Sequence, residues 1–154
     1  MSYRVKAIPR HISSEVRSAL VSPQYRSLAA VASVATGYGP CRSCLRVFDE
    51  GTDRRVFFTY NSFEGRFDLP DPGPVFIHET ECERFEGAGF PADLNDLPIL
   101  LEAFADESRL LSRTPLVPGS ADEQIAAIFD GPDVKFINLR NSEAGCFIAT
   151  VERH

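Results

Sequence analysis

Two short stretches of the chain carry the side chains best suited to chemistry. Cys41 and Cys44 form a Cys-x-x-Cys pair, and His78 and Cys82 form a His-x-x-x-Cys pair. Thiolate sulfur and imidazole nitrogen are ligands of zinc, and each pair is close enough in sequence to converge from a single turn. A tetrahedral site from Cys41, Cys44, His78 and Cys82 is therefore one reading. Structural zinc sites more often repeat Cys-x-x-Cys, and buried or idle thiols are the plain alternative.

The same residues admit other chemistries. Cys41 as nucleophile with His78 as base would follow the Cys–His logic of acyl-transfer enzymes. The plain alternative is a strand histidine donating to a backbone carbonyl. A redox dithiol at Cys41 and Cys44 would need a helix N-terminus after a strand to stabilise the thiolate, and Leu45-Arg46-Val47-Phe48 reads instead as a strand. A cysteine-phosphatase loop fails on spacing, because Cys41 and Arg46 have four residues between them rather than five. The lone Gly37-Tyr38-Gly39 lacks the third glycine and following helix of a nucleotide fingerprint. A glycine turn ending at Cys41-Arg42 can still aim backbone N–H groups and a guanidinium at a small anion. Glu79, Glu81, Glu83 and Glu86 read as a solvated face. Among the aromatics Phe57, Phe58, Tyr60, Phe63 and Phe67, core packing accounts for the first three.

Elements must place these groups. Tyr3–Ile8 alternates as a strand ended by Pro9, and Ser13 or Ser14 reads as the N-cap of a short helix reaching Val21. Leu28–Ala35 reads as a buried strand running into the Thr36–Pro40 turn. Arg55–Tyr60 is the clearest strand. The proline-rich stretch from Phe63 to Pro74 reads as coil, because proline cannot donate to a strand ladder. Val75–His78 resumes a strand, and Glu79–Pro91 reads as loop. Leu97–Val117 admits two readings: Leu97, Leu100, Leu101 and Phe104 match helical spacing, while Pro98 and the turn-like Ala105–Ser108 suggest a hairpin, the reading preferred. Ser120-Ala-Asp-Glu123 matches a capping box opening a helix that Gly131-Pro132 ends. Val134–Leu139 and Cys146–Val151 alternate on either side of Asn141–Gly145, a C-terminal β-hairpin. The expected fold is α+β, one domain over residues 1–154, a mostly antiparallel sheet with two or three helices on one face.

Composition bounds the rest. For 154 residues and 17.0 kDa, surface scaling gives a folded area of about 7,700 Å² and burial of roughly 69% of the unfolded surface. A core of that size holds without metal or disulfide staples, so no cofactor is required, although zinc fits the residues. Hydrophobic residues at 44% and charged residues at 25% exclude collagen, coiled coil and a largely disordered chain. Residues 1–55 carry nine Lys/Arg and four Asp/Glu, a balance of +5, against −11 for the remainder, which sums to −6. With a pI near 5.1, nucleic acid is a disfavoured partner. Arg42, Arg46, Arg54 and Arg55 form at most a small anion patch, and cancellation by acids of the other half is the simpler reading. The apolar runs are far shorter than the ~20 residues that span a bilayer, so no membrane partner is expected. Four cysteines and no basic-then-apolar leader suit thiols in a reducing cytoplasm. A hairpin edge offers a route to a homodimer, which nothing in the sequence demands.

Gly39-Pro-Cys-Arg-x-Cys-Leu45, Pro74-Val-Phe-Ile-His-Glu79 with Cys82-Glu-Arg-Phe85, and Asn141-x-x-x-Gly-Cys-Phe147 resemble one bacterial group known as a domain of unknown function. The resemblance covers nearly the whole chain. Its pattern reads serine where Cys44 stands, so a site that needs Cys44 would be peculiar to this chain. It leaves Cys41, Arg42, His78, Cys82, Asn141 and Cys146 as matching polar or thiol positions and implies no reaction. The leading expectation is a bacterial cytoplasmic module binding a small anionic ligand or a protein beside the Gly37–Arg42 turn, with Gly39, Arg42, Tyr60 and Asn141 as its binding residues. A Cys41/His78 enzyme and a structural zinc protein are the alternatives.

Overall fold

In the computed structural model, residues 2–63, 73–106 and 109–154 are described. The alternating C-terminal segments form the hairpin that their pattern requires: β7 (Phe136–Asn141) pairs antiparallel with β8 (Phe147–Arg153). β1 (Tyr3–Lys6) adds to the outer side of β8. β5 (Ile99–Phe104) pairs with β7, and β6 (Leu110–Pro115) pairs with β5 as the hairpin read from Leu97–Val117. Part of that hairpin's turn, residues 107–108, lies outside the described residues. The resulting five-stranded sheet has the order β1-β8-β7-β5-β6. A second sheet has the order β2-β3-β4, from Val31–Val34, Arg54–Tyr60 and Gly73–His78. All pairings are antiparallel, so the α+β reading of the fold holds. The accessible surface of 8013 Å² is close to the area expected from mass.

The helices divide between two cores rather than sharing one face. Helix α1 (Arg10–Ala19) buries Ile12 and Val16 with Val56, Phe58, Val75 and Ile77 of the smaller sheet. Helix α2 (Ala121–Phe129) buries Ile125 and Phe129 with Val5, Leu101, Ile137 and Val151 of the larger one. Each helix presents one apolar stripe, and each sheet needs one face covered, so each sheet takes its own helix.

Several boundaries differ from the sequence reading for local reasons. Helix α1 starts after Pro9, whose carbonyl accepts from the Ile12 and Ser13 N–H groups. β1 stops at Lys6, short of the expected Ile8, and the φ of −58° at Pro9 presets the helical entry, so Ser13 and Ser14 sit inside the helix. Ser13 Oγ turns back on the Arg10 carbonyl at 3.0 Å. The helix closes at Leu20, in a left-handed conformation with φ 51°. Strand β2 is shorter than the expected Leu28–Ala35 strand and lies at a sheet edge, where Val31 and Val34 are exposed and only the flanking Ala30 and Ala35 are buried.

Of the proline-rich stretch read as coil, residues 64–72, including Phe67, lie outside the described residues, while Gly73 and Pro74 belong to β4. Proline is tolerated there because β4 is an edge strand. The capping box at Ser120 does not form, since its side chain makes no cap hydrogen bond. Gln124 secures that helix start instead, accepting from the Val117 N–H at 2.6 Å and donating to the Pro115 carbonyl at 3.0 Å. Among the aromatics read as core, Phe58 and Tyr60 are buried, but Phe57 lies on the outer face against Phe76. Strand alternation requires this, because Phe57 points opposite to its neighbours Val56 and Phe58.

Candidate metal centre

The four donors singled out in the sequence meet. Sγ of Cys41, Cys44 and Cys82 and a ring nitrogen of His78 all lie within 4.8 Å of one another, a group that can hold a metal ion. The Cys41 and Cys82 sulfurs are 3.9 Å apart, and Cys44 Sγ is 3.5 Å from His78 Nδ1.

Local folding explains the convergence. The stretch Leu45–Phe48 is not a strand; residues 42–44 form a turn, closed by an isolated bridge between Pro40 and Val47. The Cys41 N–H donates to the Arg46 carbonyl at 2.9 Å, and the Leu45 N–H to the Cys41 carbonyl at 2.8 Å. Leu45 adopts φ 58°, a left-handed conformation that costs a branched residue about 1–2 kcal/mol. Its side chain is fully buried in the larger core, and burial of a leucine, at about 2–5 kcal/mol judged by truncation, outweighs that strain. The loop is docked on its neighbours by Arg42, whose N–H donates to the Phe76 carbonyl at 3.0 Å while its own carbonyl accepts from the Ile8 N–H at 3.1 Å. His78 ends β4, and the chain then passes through bends and coil to Cys82.

A second layer of contacts surrounds the donors. His78 Nε2 lies 3.3 Å from Asp53 Oδ2, leaving Nδ1 for the sulfur cluster. The His78 backbone N–H donates to Cys41 Sγ at 3.3 Å, and the Arg17 guanidinium donates to Cys82 Sγ at 3.2 Å and to the His78 carbonyl at 3.0 Å. Burial pushes the Cys41 thiol up, helped by hydrogen bonds with Cys44 and Cys82. The bond from Cys41 pulls the Cys82 thiol down, and Cys44 is lowered for the same reason. His78 is pushed up to about 10, mainly by its hydrogen bonds with Cys44 and Cys82.

The other singled-out residues lie elsewhere or serve the fold. Arg42 is buried, with Nε on the Phe147 carbonyl at 2.7 Å and Nη1 on the Pro40 carbonyl at 2.8 Å, and burial lowers it to about 10. Gly39 has φ 143°, and the Gly37 N–H is held by Glu50 Oε1 at 2.8 Å. Tyr60 packs on Phe147 with ring centroids 5.6 Å apart. Asn141 Oδ1 accepts from the N–H groups of Glu143 and Ala144, fixing the β7–β8 turn. Cys146 lies outside the cluster. Arg54 pairs with Glu79, and Arg10 with Glu86, so basic residues of the first part of the chain do meet acids of the second. Beside Cys44 opens a cleft of about 680 Å³, lined also by Arg46, Arg84, Phe85 and Asp93.

Sequence reasoning missed Asp53 and Arg17. Neither has a spacing relation to the cysteines that could have announced it; both arrive through pairing and helix docking.

No helix among the described residues is long and apolar enough to cross a membrane. Neither the curated proteins nor the solved structures contain a match to the chain. A family model does match residues 38–153, a span that includes all four clustered ligands and both layers of their contacts except Arg17. The chain therefore belongs to DUF1203, a family of proteins of unknown function.

Proposed function

We propose that this protein is a zinc-binding domain in which Cys41, Cys44, His78 and Cys82 hold one ion in a closed, structural site. The observation that carries the reading is the spacing of the donors. Zinc places sulfur at about 2.3 Å and imidazole nitrogen at about 2.0–2.1 Å in a tetrahedron. That geometry separates two sulfurs by about 3.8 Å and a sulfur from a nitrogen by about 3.5 Å. The separations of 3.9 Å and 3.5 Å match both. Three soft sulfurs with one imidazole suit zinc better than the oxygen-seeking magnesium or calcium.

The surrounding contacts support the same reading. A ligating imidazole ordinarily donates its other N–H to a carboxylate, the role Asp53 fills at Nε2. The N–H donors from His78 and Arg17 to the sulfurs offset the charge that three thiolates bring. With four protein ligands no position is left for a substrate, which separates this site from catalytic zinc. A nucleophilic role for Cys41 is served poorly by a sulfur shielded from solvent and a histidine whose ring nitrogen faces Cys44. The ion would join the loop 40–47 to the end of β4, beside both cores.

Elemental analysis of the chain purified without chelator is expected to return one zinc per molecule. Cobalt substitution is expected to give the intense visible bands of a tetrahedral, sulfur-rich site. A chain that carries no metal and takes up none from zinc or cobalt salts overturns the reading. Because binding requires three thiolates and a neutral imidazole, loading releases protons, and affinity falls on acidification.

A further inference from the structure

The four ligands differ in exposure. Cys41 is fully buried, whereas Cys82 is only partly so and follows an irregular stretch of chain. The sulfurs of these two are 3.9 Å apart, and the Arg17 guanidinium stands against Cys82 Sγ from helix α1. We infer that the centre is a peroxide-responsive switch, in which hydrogen peroxide converts Cys41 and Cys82 to a disulfide and expels the ion. The inference rests on the zinc reading and adds regulation to it.

The step balances with peroxide as the oxidant. The Cys82 thiolate attacks one peroxide oxygen; the S–O bond forms, the O–O bond breaks, and hydroxide takes a proton to leave as water. The Arg17 guanidinium, already donating to this sulfur, stands beside it as it attacks. Cys82 is now a sulfenic acid. The Cys41 sulfur then attacks Cys82 Sγ; the S–S bond forms, the S–O bond breaks, and the second oxygen leaves as water. Two thiolates, one peroxide and two protons give one disulfide and two waters. The sulfurs lose two electrons, peroxide gains them, and the zinc keeps its charge.

Placement explains why the reaction stops at the disulfide. The resolving sulfur is already in contact, so closure from 3.9 Å to the about 2.05 Å of a disulfide needs only a local shift of the loop. Further oxidation of the sulfenic acid requires a second peroxide, and an adjacent thiol intercepts it first. The bridge removes two of four ligands. Cys44 and His78 alone are too few to retain a structural zinc ion.

The test starts from chain shown by elemental analysis to carry zinc, treated with one equivalent of hydrogen peroxide in the presence of a zinc-responsive dye. One zinc is expected to be released per disulfide formed, peptide mapping to join Cys41 to Cys82, and dithiothreitol with added zinc to restore the loaded form. Cys146→Ser is expected to release zinc at the unaltered rate, since Cys146 lies outside the cluster. Zinc retained while Cys146 alone is oxidised, or a bridge mapped to another pair, overturns the switch and leaves the zinc site standing. Chain that never carries zinc removes both.

Discussion

Asp53 shows how much of the proposed metal centre would rest on residues that touch no metal. In the proposed site its carboxylate, 3.3 Å from His78 Nε2, would hold the proton there and leave Nδ1 to the ion. Asp53→Asn replaces a charged acceptor with an amide that can hold the ring but cannot raise its basicity. Loss of such a partner weakens metal binding by about 10–100-fold. Competition with a chelator of known affinity should read that shift at unchanged zinc stoichiometry; affinity equal to the parent chain would show that the contact is incidental. Residue type and spacing grouped the four donors as one alternative beside buried or idle thiols, and only the fold shows that they meet. Asp53 and Arg17 were not legible. Strand β3 and helix α1 bring them in from positions with no sequence relation to the cysteines. Leu45 was misread for a related reason: a Leu-x-Val-Phe run scores as strand, while the residue is held left-handed by the turn and by burial in a core far along the chain.

Among the elements, strands with strong alternation were legible and termini were not. The β7–β8 hairpin follows its alternation, whereas the β5–β6 hairpin forms in a stretch whose leucines also match helical spacing. Helix α2 exists where periodicity places it, yet its capping box is a coincidence of sequence. Ser120→Ala should therefore change stability by under about 0.5 kcal/mol, rather than the ~1 kcal/mol lost at a working N-cap. Gln124→Ala removes both bonds that tie the helix start to the end of β6. Each such bond contributes about 0.5–1.5 kcal/mol, so the variant should lose about 1–3 kcal/mol. Urea unfolding of the two variants ranks them, and a larger loss for Ser120→Ala would restore the capping reading. Helix α1 starts earlier than its serines suggest because Pro9, three residues beyond the end of β1, opens it.

At the scale of the molecule, two sheets with separate cores share one loop. Cys41 and Cys44 belong to the smaller core, and the next residue, Leu45, to the larger one. An ion that fixes this loop acts on both. Removing zinc with a chelator should then speed amide exchange in β3 and β4 and also in β7 and β8. Response confined to the smaller sheet would mean that the cores are independent. The division into two sheets was not legible, since pairing partners are set by long-range packing that alternation along a strand does not encode.

The order β1-β8-β7-β5-β6 sets the first strand of the chain against the last. On a ribosome the larger sheet waits for its final residues to emerge before β1 gains a neighbour. The donors from Cys41 to Cys82 leave the exit tunnel long before that moment. In the proposed zinc-binding protein, capture of the ion would thus precede closure of the larger sheet, giving the nascent polypeptide an anchored half on which the later strands assemble.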